Sequence, residues 1–289
     1  MLGRYTDTPA GRNTGSGRGA RSPMTPGMTG NARRGVCHHV PVEAVINNLE
    51  RVAAGHWRGT EEQWLGGWLL RAAEGFTGRA NSALPLGDPG MPLDEALARM
   101  TDWYRARALP PMISVAMPLD QPSELEERLA RRSWSVRRGS AVVMTADVAT
   151  VSASPREVGL HVTEEPDAEW LRMHRHRGRS DLPPVRTKVL MSAPSQAFVS
   201  VRDGGRAVAV GRLSVSDGWA GITSVEVDPA YRRRGLGTAI TLGICAEAAA
   251  RGARNVFLQT ETGNDGARAL YERCGFGYSH RYHYRMAPA

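Results

Sequence analysis

One junction constrains this chain more than any other stretch: "TSVEVDPAYRRRGLGTAI", residues 223–240. The alternating run "TSVEV" reads as a strand, and Asp228-Pro229 ends it because proline has no N–H to continue a ladder. "LGTAITLGICAEAAARG" then sets Ile240, Ile244 and Ala248 on one helical face, with Gly252 as the stop. A strand feeding a helix through so short a turn belongs to a mixed α/β chain. The turn itself is chemically costly. Arg232, Arg233 and Arg234 repel one another, and Gly235 and Gly237 each loosen the backbone. A helix N-terminus offers unbonded N–H groups and partial positive charge, so a bound pyrophosphate accounts for the arrangement. A solvated arginine-rich loop accounts for it too. No Gly-Lys-Ser/Thr follows, so this is not a Walker loop, and two glycines two residues apart do not make a dinucleotide fingerprint.

Elsewhere strand and helix patterns alternate. "PVEAVINNLERVAAG" has Val45, Ile46 and Leu49 at helical spacing, and "WLLRAAEGFTGRANSALPL" suggests two paired strands around Gly75. "PLDEALARMTDWYRARAL" predicts a helix, "MISVAM" a strand, and "SELEERLARRS" a helix capped by Ser123. "SWSVRRGSAVVMTADV" reads as two strands around Gly139, followed by a linker at 149–159. In the second half "LHVTEE" is a strand, helical segments surround Asp167–His176 and Pro184–Met191, and "AFVSVRDGGRAVAVGRLSV" is a hairpin turning at Asp203-Gly204. "NVFLQTE", "DGARALYERCG" and "YSHRYHYRMA" complete a strand–helix–strand ending. The fold class is α+β, a mixed α/β sheet.

The net charge of +8 raises the question of nucleic acid, but five of those charges lie in residues 1–35. That segment is rich in Gly, Arg, Thr, Ser and Pro with little to bury, which predicts a disordered tail. Lys188 is the sole lysine, a bias of arginine usage rather than a binding surface, so no nucleic-acid partner is expected. Cys37, Cys245 and Cys274 are too few and too scattered for a disulfide framework or a zinc site, and no metal is expected. No apolar run is long enough to span a bilayer, and a cytoplasmic location is the default expectation.

The Arg-rich junction also resembles the pyrophosphate loop of GNAT acyltransferases, Arg/Gln-x-x-Gly-x-Gly/Ala, with Arg232, Gly235 and Gly237 in the matching places. Downstream, "LQTETGNDGARALYERCGF" matches a second family element: Asn264 after a strand, Tyr271 seven residues on, and Gly275-Phe276 at the helix end. The resemblance covers about residues 156–289 and implies acetyl-CoA bound where the fourth and fifth strands part. By resemblance the backbone of Val225, Glu226 and Val227 pairs with the pantetheine, and Arg232, Arg233, Arg234, Gly235, Leu236, Gly237 and Thr238 hold the pyrophosphate. Asn264 bonds the cofactor arm, and Tyr271 protonates the leaving thiolate.

The general base is less clear. Strict alternation puts Gly221, Thr223, Val225 and Val227 on one face and turns Glu226 away unless a bulge rotates it. Some family members, mycothiol synthase among them, carry a Glu where Gly221 stands. Glu261 is then the remaining local carboxylate, with water-mediated transfer from another group as the alternative. His174 and His176 read as a solvated helix face.

Aligning Trp134 with Phe276 lays "ELEERLARRSW" over "ARALYERCGF", with Leu129 at the place of Tyr271 and Pro122 at that of Asn264. The first half thus resembles a degenerate GNAT unit, as in tandem arrangements such as mycothiol synthase or N-acetylglutamate-synthase-like proteins. The expected organisation is a tail at 1–35, a degenerate GNAT-like domain at 36–150, and a catalytic GNAT domain at 156–289. Trp57, Trp64, Trp68, Trp103 and Tyr104 read as core, or as one wall of the acceptor site. The implied activity is acetyl transfer from acetyl-CoA to a primary amine of a small molecule, an amino acid or an aminated metabolite or antibiotic. The alternatives are a protein N-terminal or lysine acetyltransferase and a non-catalytic acyl-CoA sensor. A homodimer is one open form of assembly.

Overall fold

The structure, a computed structural model, describes residues 41–152, 159–174 and 182–288. The tail at 1–35, Cys37 and His176 lie outside the described residues. In chain order the elements are α1 (Val42–His56), β1 (Glu61–Leu65), β2 (Trp68–Ala72), β3 (Leu84–Pro85), α2 (Leu93–Arg105), β4 (Met112–Met117), α3 (Glu124–Ala130) and β5 (Ser135–Asp147). They continue as α4 (Val148–Ser152), β6 (Leu160–Thr163), α5 (Ala168–Met173), α6 (Val185–Leu190), β7 (Ser195–Asp203), β8 (Arg206–Ser216) and β9 (Trp219–Val227). After a short 3-10 turn at Pro229–Tyr231 come α7 (Leu236–Ala250), β10 (Asn255–Glu261), α8 (Asp265–Arg273) and β11 (Gly277–Met286).

A small antiparallel sheet, β1-β2-β3, stands beside an eight-stranded mixed sheet of order β4-β11-β5-β10-β9-β8-β7-β6. The large sheet takes strands from both sides of the segment at 149–159, and the described residues fall in one compact unit. Its order is instructive. β4–α3–β5 and β10–α8–β11 have the same strand–helix–strand sequence, yet the last strand of each lies beside the first strand of the other: β5 pairs with β10, and β11 with β4. β5 and β11 also pair with each other. The two helix ends match closely. Trp134 N–H donates to Leu129 O at 3.1 Å, as Phe276 N–H does to Tyr271 O at 3.0 Å. Ser133 at φ 59° and Gly275 at φ 95° make the same left-handed turn just before. Ser123 and Asn264 each cap their helix through a side-chain oxygen.

Packing explains where local pattern misleads. α1 buries Ile46, Leu49 and Ala53, while Val45 is 53% exposed; it lies about 70° around the helix from the middle of that stripe, at 100° per residue. The stretch around Gly139 is a single strand rather than a pair. Gly139, at φ 92°, sits where the β11 register slips between His283 and Arg285, so a bulge absorbs the irregularity and β5 continues. The proposed linker begins as α4, whose Val148 and Val151 are buried against the α7 side of the sheet. Ile240, Ile244 and Ala248 of α7 are fully buried in that same core with Tyr271 and Phe276. On the opposite face Trp57, Phe76 and Ala80 of the first half pack with Trp170, Val189, Phe198 and Val210 of the second. Each large apolar side chain so buried contributes about 1.5–3 kcal/mol. The two halves therefore close on each other through an apolar core.

Candidate active site

β9 and β10 run parallel and pair only from Trp219↔Asn255 to Ile222↔Leu258. Beyond Thr223 and Gln259 the strands part, and a cleft of ≈ 560 Å³ opens between them. The edge of β9 thus presents ladder groups toward β10 with no strand to take them, a template for an amide-bearing ligand.

The parting coincides with a bulge. On β8 the register against β9 shifts between Val210 and Arg212, so Ser224 and Val225 together face Gly211. Ser224 takes up the extra residue at φ 57°. Gly211 O receives the indole N–H of Trp170 at 3.1 Å, which fixes this point from the other side. The bulge overturns strict alternation. Val225 and Val227 pack on the α7 core, whereas Thr223 bonds Arg212 and Glu226 pairs across with Val210, on the face of α1 and α5. Glu226 therefore joins Gly221 and Thr223 on the face opposite Val225 and Val227. Gly221 itself has no room for a larger residue: an added Cβ falls 2.8 Å from Ser214 Oγ, 2.9 Å from Phe257 Cζ and 3.0 Å from His56 Nδ1. His56 from α1 occupies that space. Burial, then the charge of Arg212, lowers its pKa to about 4, so it is neutral near pH 7.

At the other end of β9, Asp228 caps the 3-10 turn by accepting Ala230 N–H at 3.0 Å. Arg233 at φ 63° and Gly235 at φ 81° bend the chain so that α7 begins with no side-chain cap. The first N–H groups of this 15-residue helix thus point at the loop without a capping oxygen, as an anion site requires. Arg232, Arg233 and Arg234 are all exposed, and none makes an ion pair among the described residues. Arg232 lines the cleft; Arg234 stacks on Tyr231 at 4.9 Å. Gly237 lets α8 approach, since a Cβ there would lie 2.8 Å from Leu270 Cδ1. Leu236, Gly237 and Thr238 form the first turn of α7.

α8 brings the remaining residues. Asn264 lines the cleft, and its Oδ1 accepts Ala267 N–H at 3.2 Å, which leaves its amide N–H groups as the part suited to a ligand. Tyr271 also lines the cleft, is 8% exposed, and packs edge-on against Phe276 at 5.9 Å. Burial pushes its phenol well above the usual range, so it stays protonated near neutral pH and has a proton to give. Glu261 ends β10 on the cleft wall, two residues from Gln259 and on the same face. His174 is not on a solvated face: it is 3% exposed and stacks on Trp170 at 5.1 Å.

One wall comes from the first half and was missed by motif reading. Thr77, Gly78 and Arg79, in the loop between β2 and β3, line the cleft with Gly139, Ser140 and Ala141 of β5. Of the five aromatics, Trp57 supports this wall from beneath, Trp68, Trp103 and Tyr104 are core of the first half, and Trp64 is 52% exposed. A second cleft of ≈ 650 Å³ lies beside β3 and β4, where Ala83 bridges Ile113 in parallel before the strands part. Its lining includes Asp88, Pro89 and Leu125 but no Arg-rich loop and no tyrosine. Among the described residues there is no His/Cys/Asp/Glu group able to hold a metal, and no helix is long and apolar enough to cross a membrane.

Residues 43–285 match the model of the family described as "Probable histone acetyltransferase Rv0428c C-terminal". The chain belongs to this acetyltransferase family. It is 30% identical over 257 residues to the probable histone acetyltransferase Rv0428c of Mycobacterium tuberculosis, across 85% of this chain and 74% of that protein. It is 27% identical over 253 residues to YobR, an uncharacterized N-acetyltransferase of Bacillus subtilis, across 83% and 98%. In fold it is similar to a GCN5-related N-acetyltransferase from Kribbella flavida, with a TM-score of 0.60 at 16% identity, covering 85% of this chain and 94% of that one. It is also similar to a tandem GNAT protein from the clavulanic acid biosynthesis pathway, with a TM-score of 0.57 at 14% identity, covering 72% and 76%. The chain is thus an N-acetyltransferase of the GNAT type, and acetyl-CoA is the acyl donor such enzymes use. The uncapped α7 N-terminus and the open edge of β9 suit the diphosphate and the amides of that donor.

Proposed function

We propose that this acetyltransferase moves the acetyl group of acetyl-CoA to a primary amine of a small molecule, an amino acid or an aminated metabolite, by direct attack in a ternary complex. The observation that carries this reading is the wall formed by Thr77, Gly78 and Arg79. It turns the parted strands into a bounded cleft of ≈ 560 Å³, within the size range of small-molecule sites. Arg232, the α7 N-terminus and the amide of Asn264 hold the donor. Backbone N–H groups of β9 stabilise the oxyanion as the amine adds to the thioester carbon. Glu226 or Glu261 takes the amine proton, and Tyr271 gives its proton to the departing thiolate. A phenol of unperturbed pKa about 10 is a weaker acid than a thiol of about 8.5, so the transfer is uphill by about 2 kcal/mol and requires the phenol to be held against the sulfur as the thiolate departs.

The first half acts as a degenerate GNAT-like unit that shapes the acceptor wall and leaves one competent site; the matched helix ends at Trp134 and Phe276 support this. A second reading, acetylation of a protein lysine or N-terminus, is favoured by the name of the mycobacterial relative. CoA-thiol release across amino acids, polyamines, aminoglycosides and histone-type peptides separates the two. Turnover with small amines, reduced about 10²–10⁴-fold in Tyr271→Phe, is expected. Turnover with peptides alone transfers the assignment to the second reading, and an undiminished Tyr271→Phe removes the acid role.

A further inference from the structure

The loop that carries the acceptor wall is held in an unusual conformation. Glu74 at φ 48°, Gly75 at φ 78° and Thr77 at φ 62° are left-handed within four residues. The buried side chain of Asn81 fixes them: its Oδ1 accepts the N–H groups of Ala73 at 2.7 Å and Gly75 at 2.9 Å, and its Nδ2 donates to Phe76 O at 2.7 Å and Thr77 O at 2.9 Å. Gly78 passes so close to Tyr284 that an added Cβ would lie 2.8 Å from its ring. Backbone strain of this kind persists where surrounding structure enforces it, often at functional sites.

What the loop delivers is Arg79. Its guanidinium lies 4.7 Å over the Trp57 ring and donates to Gln259 Oε1 at 2.9 Å. A second guanidinium, that of Arg212, lies 5.5 Å from the same ring. Arg212 is fully buried and donates to Leu190 O at 2.6 Å, His56 O at 3.2 Å and Thr223 Oγ1 at 3.4 Å, while its Nη2 has no hydrogen-bond partner among the described residues. Neither arginine makes an ion pair among the described residues. Arg71, also buried, is spent on the carbonyl and hydroxyl of Ser82, and the nearby buried carboxylate, Glu50, is engaged by His280 at 2.8 Å. Burial and the charge of Arg79 lower the Arg212 pKa to about 9. A buried cation without a counter-charge is strongly unfavourable, so its persistence calls for an anion that the described residues do not supply.

The strand register gives the charges an order. Thr223 and Gln259, the residues bonded by Arg212 and Arg79, are the first beyond the last paired positions of β9 and β10. Both cations therefore sit at the root of the V, whereas Glu226 and Glu261 stand further along the parting strands. Resting on the small-amine reading above, we propose that the root of the cleft is a carboxylate subsite, with Arg79 as the direct contact and Arg212 as a fixed buried charge behind Thr223. The acceptor is then an amine that also carries a carboxylate, of the amino-acid kind, with its amine toward Glu226 and Glu261. A polyamine or a lysine side chain in a basic peptide fits this charge order poorly.

The test compares amino acids with their own amides, which keep the amine and remove the negative charge. Wild type is expected to show a KM for the acids at least about 10-fold lower than for the amides, the scale of one charge-assisted bidentate pair. Arg79→Gln brings the acids to the level of the amides, mostly through KM, and Arg79→Lys restores part of the preference because it keeps the charge and loses the fork. Calorimetric titration of wild type and Arg79→Gln with the same acids, in the absence of acetyl-CoA, reads the subsite independently of turnover. Binding lost in Arg79→Gln without turnover of any amine keeps the subsite and overturns the acceptor chemistry. Acids and amides handled alike by wild type, or an Arg79→Gln that preserves the preference, overturn the subsite while leaving the acetyltransferase intact.

Discussion

Gly211→Ala tests whether the bulge really organises the site. Gly211 is the single β8 residue opposite Ser224 and Val225, and α7 passes directly over it. An added Cβ would lie 2.6 Å from Ile240 Cγ2 and 2.7 Å from Ile244 Cδ1, where ordinary contact needs about 3.5–4.0 Å. Both isoleucines are fully buried, so neither can swing into solvent. Roughly 1 Å must be found by lifting α7 off the sheet, and overpacking of this kind costs about 1–3 kcal/mol. For a unit of this size about 1 kcal/mol lowers Tm by roughly 2–4 °C, so a fall of about 2–12 °C is expected by scanning calorimetry. The same shift moves the α7 N-terminus and Val225, so the Tm gain on adding saturating acetyl-CoA should shrink as well. Gly266→Ala is the control. Nothing lies within 4 Å of its Cβ, and alanine in the first turn of α8 should leave stability unchanged or raise it by up to about 1 kcal/mol. Equal Tm and equal acetyl-CoA stabilisation for Gly211→Ala and wild type would refute the packing argument and, with it, the bulge as the device that turns Glu226.

Two further outcomes are expected. Full-length CoA and dephospho-CoA should both bind far better than pantetheine, and Arg232→Ala should weaken the first two by about 10-fold or more while leaving pantetheine unaffected; equal affinity for all three in wild type removes the phosphate cradle. Glu226→Gln and Glu261→Gln separate the two candidate bases: the true base should lower kcat/KM by about 10²–10⁴-fold at neutral pH with a smaller loss at high pH, where the free amine no longer needs help, and a modest loss in both variants favours transfer through water.

How much of this was legible in the sequence depended on the range of the forces involved. The arginine-rich turn could be read directly, because a strand, a proline stop, Gly235 in a left-handed turn and a helix N-terminus are all set within a short stretch of chain. Tyr271, Asn264 and the helix turn at Gly275 were legible for the same reason, and so was the echo at Leu129 and Trp134, whose backbone hydrogen bond repeats that of Tyr271 and Phe276. Period-two alternation failed at β9. A bulge depends on what lies across the sheet, here Gly211 and the α7 isoleucines, and nothing in "TSVEV" announces it.

A wall from the first half could be anticipated, but the residues that form it, Thr77, Gly78 and Arg79, could not be read. Arg79 meets Gln259 across 180 positions of chain, and Arg212 meets the carbonyl of His56 across 156. Each is an ordinary arginine in its local run. The exchange of β5 and β11 between the halves is equally invisible, since both strands carry the same alternation whichever neighbour they take. Local backbone chemistry therefore determined the turn before α7 and the ends of α8 from sequence alone. The end of the cleft where Arg79 and Arg212 meet around Trp57 was decided only by tertiary packing, because burial and the juxtaposition of charges exist only once the halves have closed.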